Sequence, residues 1–386
     1  MPTLRKKRIQ SKLPQVGTTI FTIMSKMALD YGAINLSQGF PDFDISAELV
    51  DLVYKYMQQG ANQYAPMQGV PALREAISKK IKITYGSDFD PLDEITVTAG
   101  ATEALYAAIT AVVEPGDEVI IFDPAYDLYH PAVVLNQGVP INIALEAPNF
   151  EIDWTQVEDR ITNRTKLIVI NTPNNPAGVT LSAADLEQLA KLVTKHGIYV
   201  LSDEAYEHII FDDEKHQSIL RFPALREQGI SVSSFGKTFH ATGWKIGYVA
   251  ANASLTEEIR RVHQFITFSI NTPIQHALAE YLGDPEHYLQ LPNFYQRKRD
   301  YFLELIASSR FQPLQCKGTY FQVVDYTGMS DLKDIEMAEW LTKKQGVAAI
   351  PVSVFYQNPP DQKLLRFCFA KNESTLESAA EILCRI

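Results

Sequence analysis

The sequence runs to 386 residues, 46% of them hydrophobic, and carries 46 acidic against 35 basic side chains for a formal net charge of −11. That length predicts two or three domains, and the acidic balance argues against a nucleic-acid partner, which calls for a basic face. That charge balance suits an enzyme of small molecules; the cysteines, Cys316, Cys368 and Cys384, are odd in number and include no C-x-x-C pair, which argues against a disulfide framework or a structural zinc site and makes a reducing, cytoplasmic setting the expected one.

The basic cluster Arg5-Lys6-Lys7-Arg8 comes first in the chain. No apolar segment follows it, so no secretory signal is expected, and no apolar run is long enough to span a membrane. Residues 1–40 read as irregular apart from a helical patch around Ile20–Asp30. From about residue 46 to 280, short apolar runs alternate with helical patterns such as Thr102–Val113 and Ala183–His196. The runs are Ile95–Thr98, Glu118–Phe122, Lys166–Ile170, Ile198–Leu201, Ile230–Ser233 and Lys245–Ala250. This alternation predicts an α/β domain on a mostly parallel sheet. At Thr272-Pro273 the pattern changes: Thr272 reads as an N-cap with proline at N1, and an interrupted helical region runs to about Ser309. A strand (Thr319–Val324), a helix (Leu332–Gln345), short strands (Val347–Ile350 and Leu364–Phe369) and a final helix follow. That helix opens on Ser374-Thr375-Leu376-Glu377, a capping-box pattern. The expected division is an N-terminal arm with part of the small domain over residues 1–40, a large domain over 41–280 and a smaller α+β domain over 281–386.

Open parallel sheets bind ligands beyond the carboxyl ends of their strands, so the polar residues that follow each run matter most. After Ile95–Thr98 comes Gly100-Ala101-Thr102, whose N–H groups can cradle an anion at a helix start. After Glu118–Phe122 comes Asp123-Pro124-Ala125-Tyr126, and after Lys166–Ile170 comes Asn171-Thr172-Pro173-Asn174-Asn175-Pro176-Ala177-Gly178. Asp203 and Tyr206 follow the next run, and Ser234, Lys237 and Lys245 the one after. An anion site, an aromatic face, an amide, a carboxylate, a phenol and a lysine at one sheet edge match the needs of a phosphorylated pyridine aldehyde.

The segment from Ser233 to Tyr248, with Ser234, Lys237 and Lys245, resembles the lysine motif of fold-type I (class I/II) aminotransferases. Asn171–Gly178 resembles their N-x-x-x-N-P-x-G motif, Asp203 to Tyr206 their D-x-x-Y motif, and Leu365-Arg366-Phe367 the arginine near their C-terminus. Within that family, Asn35–Phe43, Asn62–Met67 and Ala349–Phe355 are similar to bacterial methionine aminotransferases and the related kynurenine aminotransferases. The resemblance implies the fold-type I transferase fold with a mostly parallel seven-stranded sheet, pyridoxal 5'-phosphate as cofactor, and a homodimer with shared active sites. It also implies ping-pong transfer of an amino group from an L-amino acid to a 2-oxo acid, with methionine and aromatic side chains favoured.

On this resemblance Lys237 is the amine that bonds the cofactor, and burial or a neighbouring cation must lower its pKa. Asp203 meets the ring nitrogen, Asn175 and Tyr206 the ring's phenolate oxygen, and Tyr126 stacks on the ring. Ser234, Lys245 and the N–H groups of Ala101 and Thr102 take the phosphate. Many relatives carry arginine where Lys245 stands, and lysine supplies the charge without the fork. Tyr64 reaches the phosphate of the neighbouring subunit. Arg366 grips the substrate carboxylate with two parallel hydrogen bonds, beside the Gly39 backbone, while Phe21, Phe355 and, from the partner chain, Phe268 wall the side-chain pocket.

Taken singly, Asp203 could cap a helix, Asn175 mark a turn, Arg366 sit in a structural ion pair and Tyr126 be a core residue. Their occurrence together, in the family's order, carries the functional reading. A C–S β-lyase acting on cysteine conjugates remains an alternative on the same fold, as does a catalytically silent cofactor-binding protein. The latter would lack the lysine, aspartate or arginine, and all three are present. Gly236-Lys237-Thr238 also imitates the end of a phosphate-binding P-loop, but that motif needs a glycine where Ser231 stands.

Overall fold

In the inner strands of a seven-stranded sheet successive apolar residues point to opposite faces, and both faces are covered. Val119 and Ile121 join Leu105, Ile109, Val169, Leu201 and Ile259 in one core, while Ile120 and Phe122 join Ile168, Ile170, Leu186, Leu189 and Val200 in the other. A computed structural model describes residues 9–386, so the basic cluster at Arg5–Arg8 lies outside the described residues. The strand order is Ile95–Thr98, Gly247–Ala251, Gly229–Ser234, Tyr199–Asp203, Thr165–Asn171, Glu118–Asp123 and Val139–Ala144. Only Gly247–Ala251 runs against its neighbours; the other pairings are parallel.

Four local departures from the sequence reading have physical causes. Val139–Ala144 contains Pro140 and a half-exposed face, so it shows no apolar run; it is the sheet's edge strand, where a missing N–H is tolerated. The strand expected from Lys245 starts at Gly247, because Lys245 takes a left-handed φ of 52° and lies in the connection. Asn271, not Thr272, caps Thr272–Tyr281, its side chain accepting from the Ile274 N–H, and Pro273 falls in the first turn behind it. The last helix, Glu373–Leu383, is entered from Asn372 without a side-chain cap: Ser374 falls inside the first turn, the Asn372 amide donates to the Asp42 carbonyl, and Glu377 accepts from the Tyr301 hydroxyl.

The helix Ala183–His196 illustrates how cleanly a local signal can be realised. Ser182 and Asp185 form a reciprocal capping box, Gly197 closes the end at φ 68°, and Leu186, Leu189, Ala190 and Val193 form the buried stripe. Beyond residue 309, Ile350–Pro351, Leu364–Cys368, Phe321–Asp325 and Gln312–Pro313 form an antiparallel four-stranded sheet. Ile34–Asn35 pairs in parallel with Val347–Ala348, tying the N-terminal segment to this C-terminal region. The three cysteines are free thiols. Among the described residues no helix is long and apolar enough to cross a membrane.

A charged network lies just past the strand that ends at Asp203. Glu207 accepts from Lys80 at 2.8 Å, from Tyr85, and from Tyr248 at 3.3 Å, with the Lys80 and Glu207 side chains 1% and 2% exposed. Burial alone would push the Glu207 carboxyl up, but Lys80, His208 and the hydroxyl donors hold it well below the usual carboxylate range. This pins the segment that carries Tyr206.

Candidate active site

The parallel strands end on one side of the sheet, and a cavity of about 300 Å³ opens there. It is lined by Gly39, Ala101, Thr102, Tyr126, Asn175, Asp203, Tyr206, Ser234, Lys237, Lys245 and Arg366, with Phe21 at its margin. Ala101, Thr102, Tyr126, Asn175, Asp203, Tyr206, Ser234, Lys237 and Lys245 are residues that the strand-end reading brings to one place, and Gly39, Arg366 and Phe21 are those that the resemblance set beside them. Tyr64 and Phe268 lie elsewhere: their rings meet edge-on at 5.5 Å on the surface, 83% and 50% exposed. Phe355 lies between two sites, 5.9 Å from Phe21 and with the Arg366 guanidinium 5.5 Å above its ring. It also lines an adjoining cavity of about 520 Å³ that shares Tyr126 and is floored by Ile20, Ile23 and Met24.

Lys237 sits in the short helix Phe235–Thr238, directly after the strand Gly229–Ser234. Its Nζ donates to the Gly39 carbonyl at 3.1 Å and to the Tyr320 hydroxyl at 2.9 Å. The surrounding protein pushes its pKa down to about 8, burial being the main cause, with Arg366 and Lys245 adding to the effect. Glycine permits this approach of the residue 39 backbone, since a Cβ there would lie 2.7 Å from the Phe321 ring.

Asp203 ends its strand buried, with Oδ2 accepting from the Tyr129 hydroxyl at 2.6 Å and Oδ1 from the Ala205 N–H at 3.1 Å. Burial raises its pKa, opposed by those two donors. A carboxylate has about four lone-pair positions, so Asp203 keeps acceptor capacity for a further N–H. Tyr126 packs edge-on to Tyr129 at 5.7 Å. Burial raises the Tyr206 phenol.

Arg366, in the central strand Leu364–Cys368, is wholly buried. It donates to Asn175 Oδ1 at 2.6 Å and to the Ser37 carbonyl at 3.1 Å, its Nε has no partner, and Phe321 lies 3.8 Å beneath the guanidinium. Burial pushes its pKa down to about 10. A buried guanidinium with neutral partners and an unused N–H is costly unless an anion joins it.

At the other end of the cavity, Gly100 takes φ 74°, which a side chain would strain, and turns the chain into the helix Gly100–Val112. The first N–H groups of that helix have no partner within it, and Lys245 Nζ donates to Thr102 Oγ1 at 3.2 Å beside them. An amine of lowered pKa, an acid with spare lone pairs, an orphaned guanidinium N–H and an anion cradle therefore share one cavity. That donor set fits a phosphorylated pyridine aldehyde together with a carboxylate substrate.

Tyr320, Tyr129 and Phe321 were not singled out from the sequence. Tyr129 stands three residues after Tyr126 and so on the same side of a helix start, a spacing that could have found it. Tyr320 and Phe321 lie inside a run that reads as an ordinary apolar strand, and nothing local distinguishes them.

Comparison with known proteins agrees with this geometry. Residues 31–383 match the family described as aminotransferase class I and II, whose enzymes work with pyridoxal phosphate. Methionine aminotransferase of Escherichia coli (strain K12) is 55% identical over 375 residues, covering 97% of each chain. Kynurenine–oxoglutarate transaminase 1 of Mus musculus is 35% identical over 403 residues, covering 94% of this chain and 93% of that one. A crystal structure of an Escherichia coli protein identified with a methionine aminotransferase function superposes with a TM-score of 0.97 at 54% identity, covering 98% of this chain and 100% of that one. Aspartate aminotransferase from Thermus thermophilus with maleate superposes at a TM-score of 0.90 and 29% identity, with the same coverage. The chain belongs to the class I and II aminotransferases and is an enzyme of that family.

Proposed function

We propose that this aminotransferase binds pyridoxal 5'-phosphate on Lys237 and moves the amino group of methionine, and next of aromatic amino acids, to a 2-oxo acid. The observation that carries the reading is the meeting of Lys237, Asp203 and Arg366 in one cavity. Bound cofactor supplies an aldehyde that bonds amines and a ring that takes up the electron pair released at the substrate Cα.

The chain's own residues supply the rest. Lys237, with its pKa near 8, has an accessible neutral form, able to attack a carbonyl and to take and return the proton at Cα. Asp203 holds a proton on the ring nitrogen, while Asn175 and Tyr206 donate to the ring oxygen. Ser234, Lys245 and the N–H groups of Ala101 and Thr102 hold the phosphate, and Tyr126 covers the ring. Arg366 orients the substrate carboxylate with a paired hydrogen bond, next to the Gly39 backbone.

Phe21, Phe355 and the adjoining cavity, whose Asp123, Asp127 and Glu339 disfavour an acidic side chain, favour an uncharged one, as do the names of the methionine and kynurenine relatives. Exposed Tyr64 and Phe268 support a homodimer in which each chain completes its partner's site, Tyr64 at the phosphate and Phe268 at the side-chain pocket. Pyridoxal phosphate added to the purified chain should give a yellow band, and borohydride reduction followed by peptide mapping should mark Lys237. In a panel of amino donors methionine should lead and aspartate trail. A mark on another lysine, or aspartate ahead of methionine, refutes the corresponding part.

A further inference from the structure

We propose that Tyr320 is a catalytic residue: together with the Gly39 carbonyl, its hydroxyl holds the Lys237 amine whenever that amine is not bonded to cofactor, and so keeps the amine's lone pair free to take the proton at the substrate Cα. This rests on the assignment of Lys237 above and extends it to a residue outside that assignment.

The argument is one of counting donors and acceptors. Tyr320 is wholly buried, and burial raises its phenol far above the ordinary range, so it keeps its proton. That proton is committed to the Gly39 carbonyl at 2.5 Å. A hydroxyl whose single proton is spent can only accept from a second partner, and the partner here is Lys237 Nζ at 2.9 Å. The same Gly39 carbonyl also accepts from Nζ, at 3.1 Å. A neutral amine has two N–H bonds and one lone pair. Two fixed oxygen acceptors occupy both N–H bonds and leave the lone pair unspent. A carboxylate in the same place would favour the ammonium and remove the base; a phenol and a peptide carbonyl are neutral and do so far less.

The cradle is also rigid. The Tyr320 ring is packed edge-on against Tyr206 at 5.1 Å and Phe321 at 4.9 Å, and lies tilted against Tyr295 at 5.8 Å. Lysine has a long flexible stem with costly rotamer freedom. Fixing its end point beforehand removes the search from each turnover.

The test uses Tyr320→Phe in the full chain, with Tyr295→Phe as the packing control. Tyr295 packs against the same ring, but its hydroxyl bonds His240 and not the amine. Two readouts are taken: the pH profile of Lys237 acylation in the cofactor-stripped chain, followed by mass spectrometry, and kcat and KM of the loaded enzyme. In Tyr320→Phe the ammonium loses an acceptor, so the acylation profile moves to lower pH. Its kcat falls about 3- to 10-fold, the worth of one hydrogen bond between neutral groups, with KM within about twofold. Tyr295→Phe matches wild type in both. An unmoved profile with wild-type kcat in Tyr320→Phe overturns the proposal, as does an equal change in Tyr295→Phe, which would make the effect one of packing. If borohydride marks a lysine other than Lys237 in the wild type, it is the underlying assignment that fails.

Discussion

Replacing Lys80 by methionine keeps the side-chain stem and deletes the charge opposite Glu207. In the native chain that carboxylate accepts from Lys80, Tyr85 and Tyr248 in a site closed to solvent. Without the cation the hydroxyl donors and His208, 3.7 Å away, remain, and burial first of all keeps that imidazole uncharged, its pKa pushed down to about 3. A buried glutamate lacking a counter-charge titrates at roughly pH 8 to 9, so it is protonated in the folded chain at neutrality. In the unfolded chain it titrates near 4.3, so holding the proton costs about 1.4 kcal/mol for each pH unit above that value. The penalty is then about 4 kcal/mol at pH 7 and about 1 kcal/mol at pH 5, in line with the ~3–5 kcal/mol typical of a broken buried pair. The two proteins also respond to acid in opposite ways. In wild type the depressed Glu207 pKa gives stability that is present above about 4.3 and lost as pH falls. In the variant a raised pKa gives stability that is present at low pH and lost as pH rises. Urea titrations followed by tryptophan fluorescence should show a wide gap in midpoint at pH 7 that closes toward pH 5, these pH values bracketing about two units of the linkage. Adding Glu207→Leu should recover most of the loss. A Lys80→Met chain as stable as wild type at neutrality, or a gap that widens on acidification, would refute the reasoning.

Arg366→Lys keeps the charge but loses the fork, so KM for the amino donor should rise about 10- to 100-fold with kcat less affected; an unchanged KM speaks against a paired carboxylate grip. Because only the neutral amine attacks and Lys237 titrates near 8, capture of pyridoxal phosphate by the stripped chain should accelerate as pH rises through about 8 and then level off. A flat stopped-flow profile would exclude that titration. Lys245→Ala should weaken cofactor retention about tenfold and Lys245→Arg should tighten it, measured by equilibrium dialysis. Phe268→Ala should alter the donor preference although its ring lies outside its own chain's cavity; an identical substrate panel would count against the shared site.

The legible parts of the sequence were those where a local signal and the tertiary environment agree. Strands buried on both faces, such as Glu118–Asp123 and Thr165–Asn171, print as apolar runs, and the residue just past each run has no choice but to stand at the sheet's edge. Asp203, Asn175 and Lys237 were found in that way. Val139–Ala144 was hidden because an edge strand tolerates proline and polar residues, and the caps at Asn271 and Asn372 because several candidate residues compete for one helix start. Tyr320 could not be read at all. Its importance lies in a hydroxyl that meets residues 39 and 237 across the fold, and no spacing within the chain encodes that meeting.

Both lysines of the cavity stand on the single connection between the strands Gly229–Ser234 and Gly247–Ala251, and its two ends are clamped together: Ser234 pairs with Gly247, and the Phe235 N–H donates to Ile246. Lys237 stands two residues past Phe235 and Lys245 one before Ile246, so the fastened neck sets their backbone separation, which acts as a gauge cut into the scaffold. On the proposed assignment it measures the length of the vitamin from aldehyde to phosphate. A shorter vitamer lacking the phosphate would reach only one of the two marks, and an insertion between Phe235 and Lys237 would shift one mark against the other.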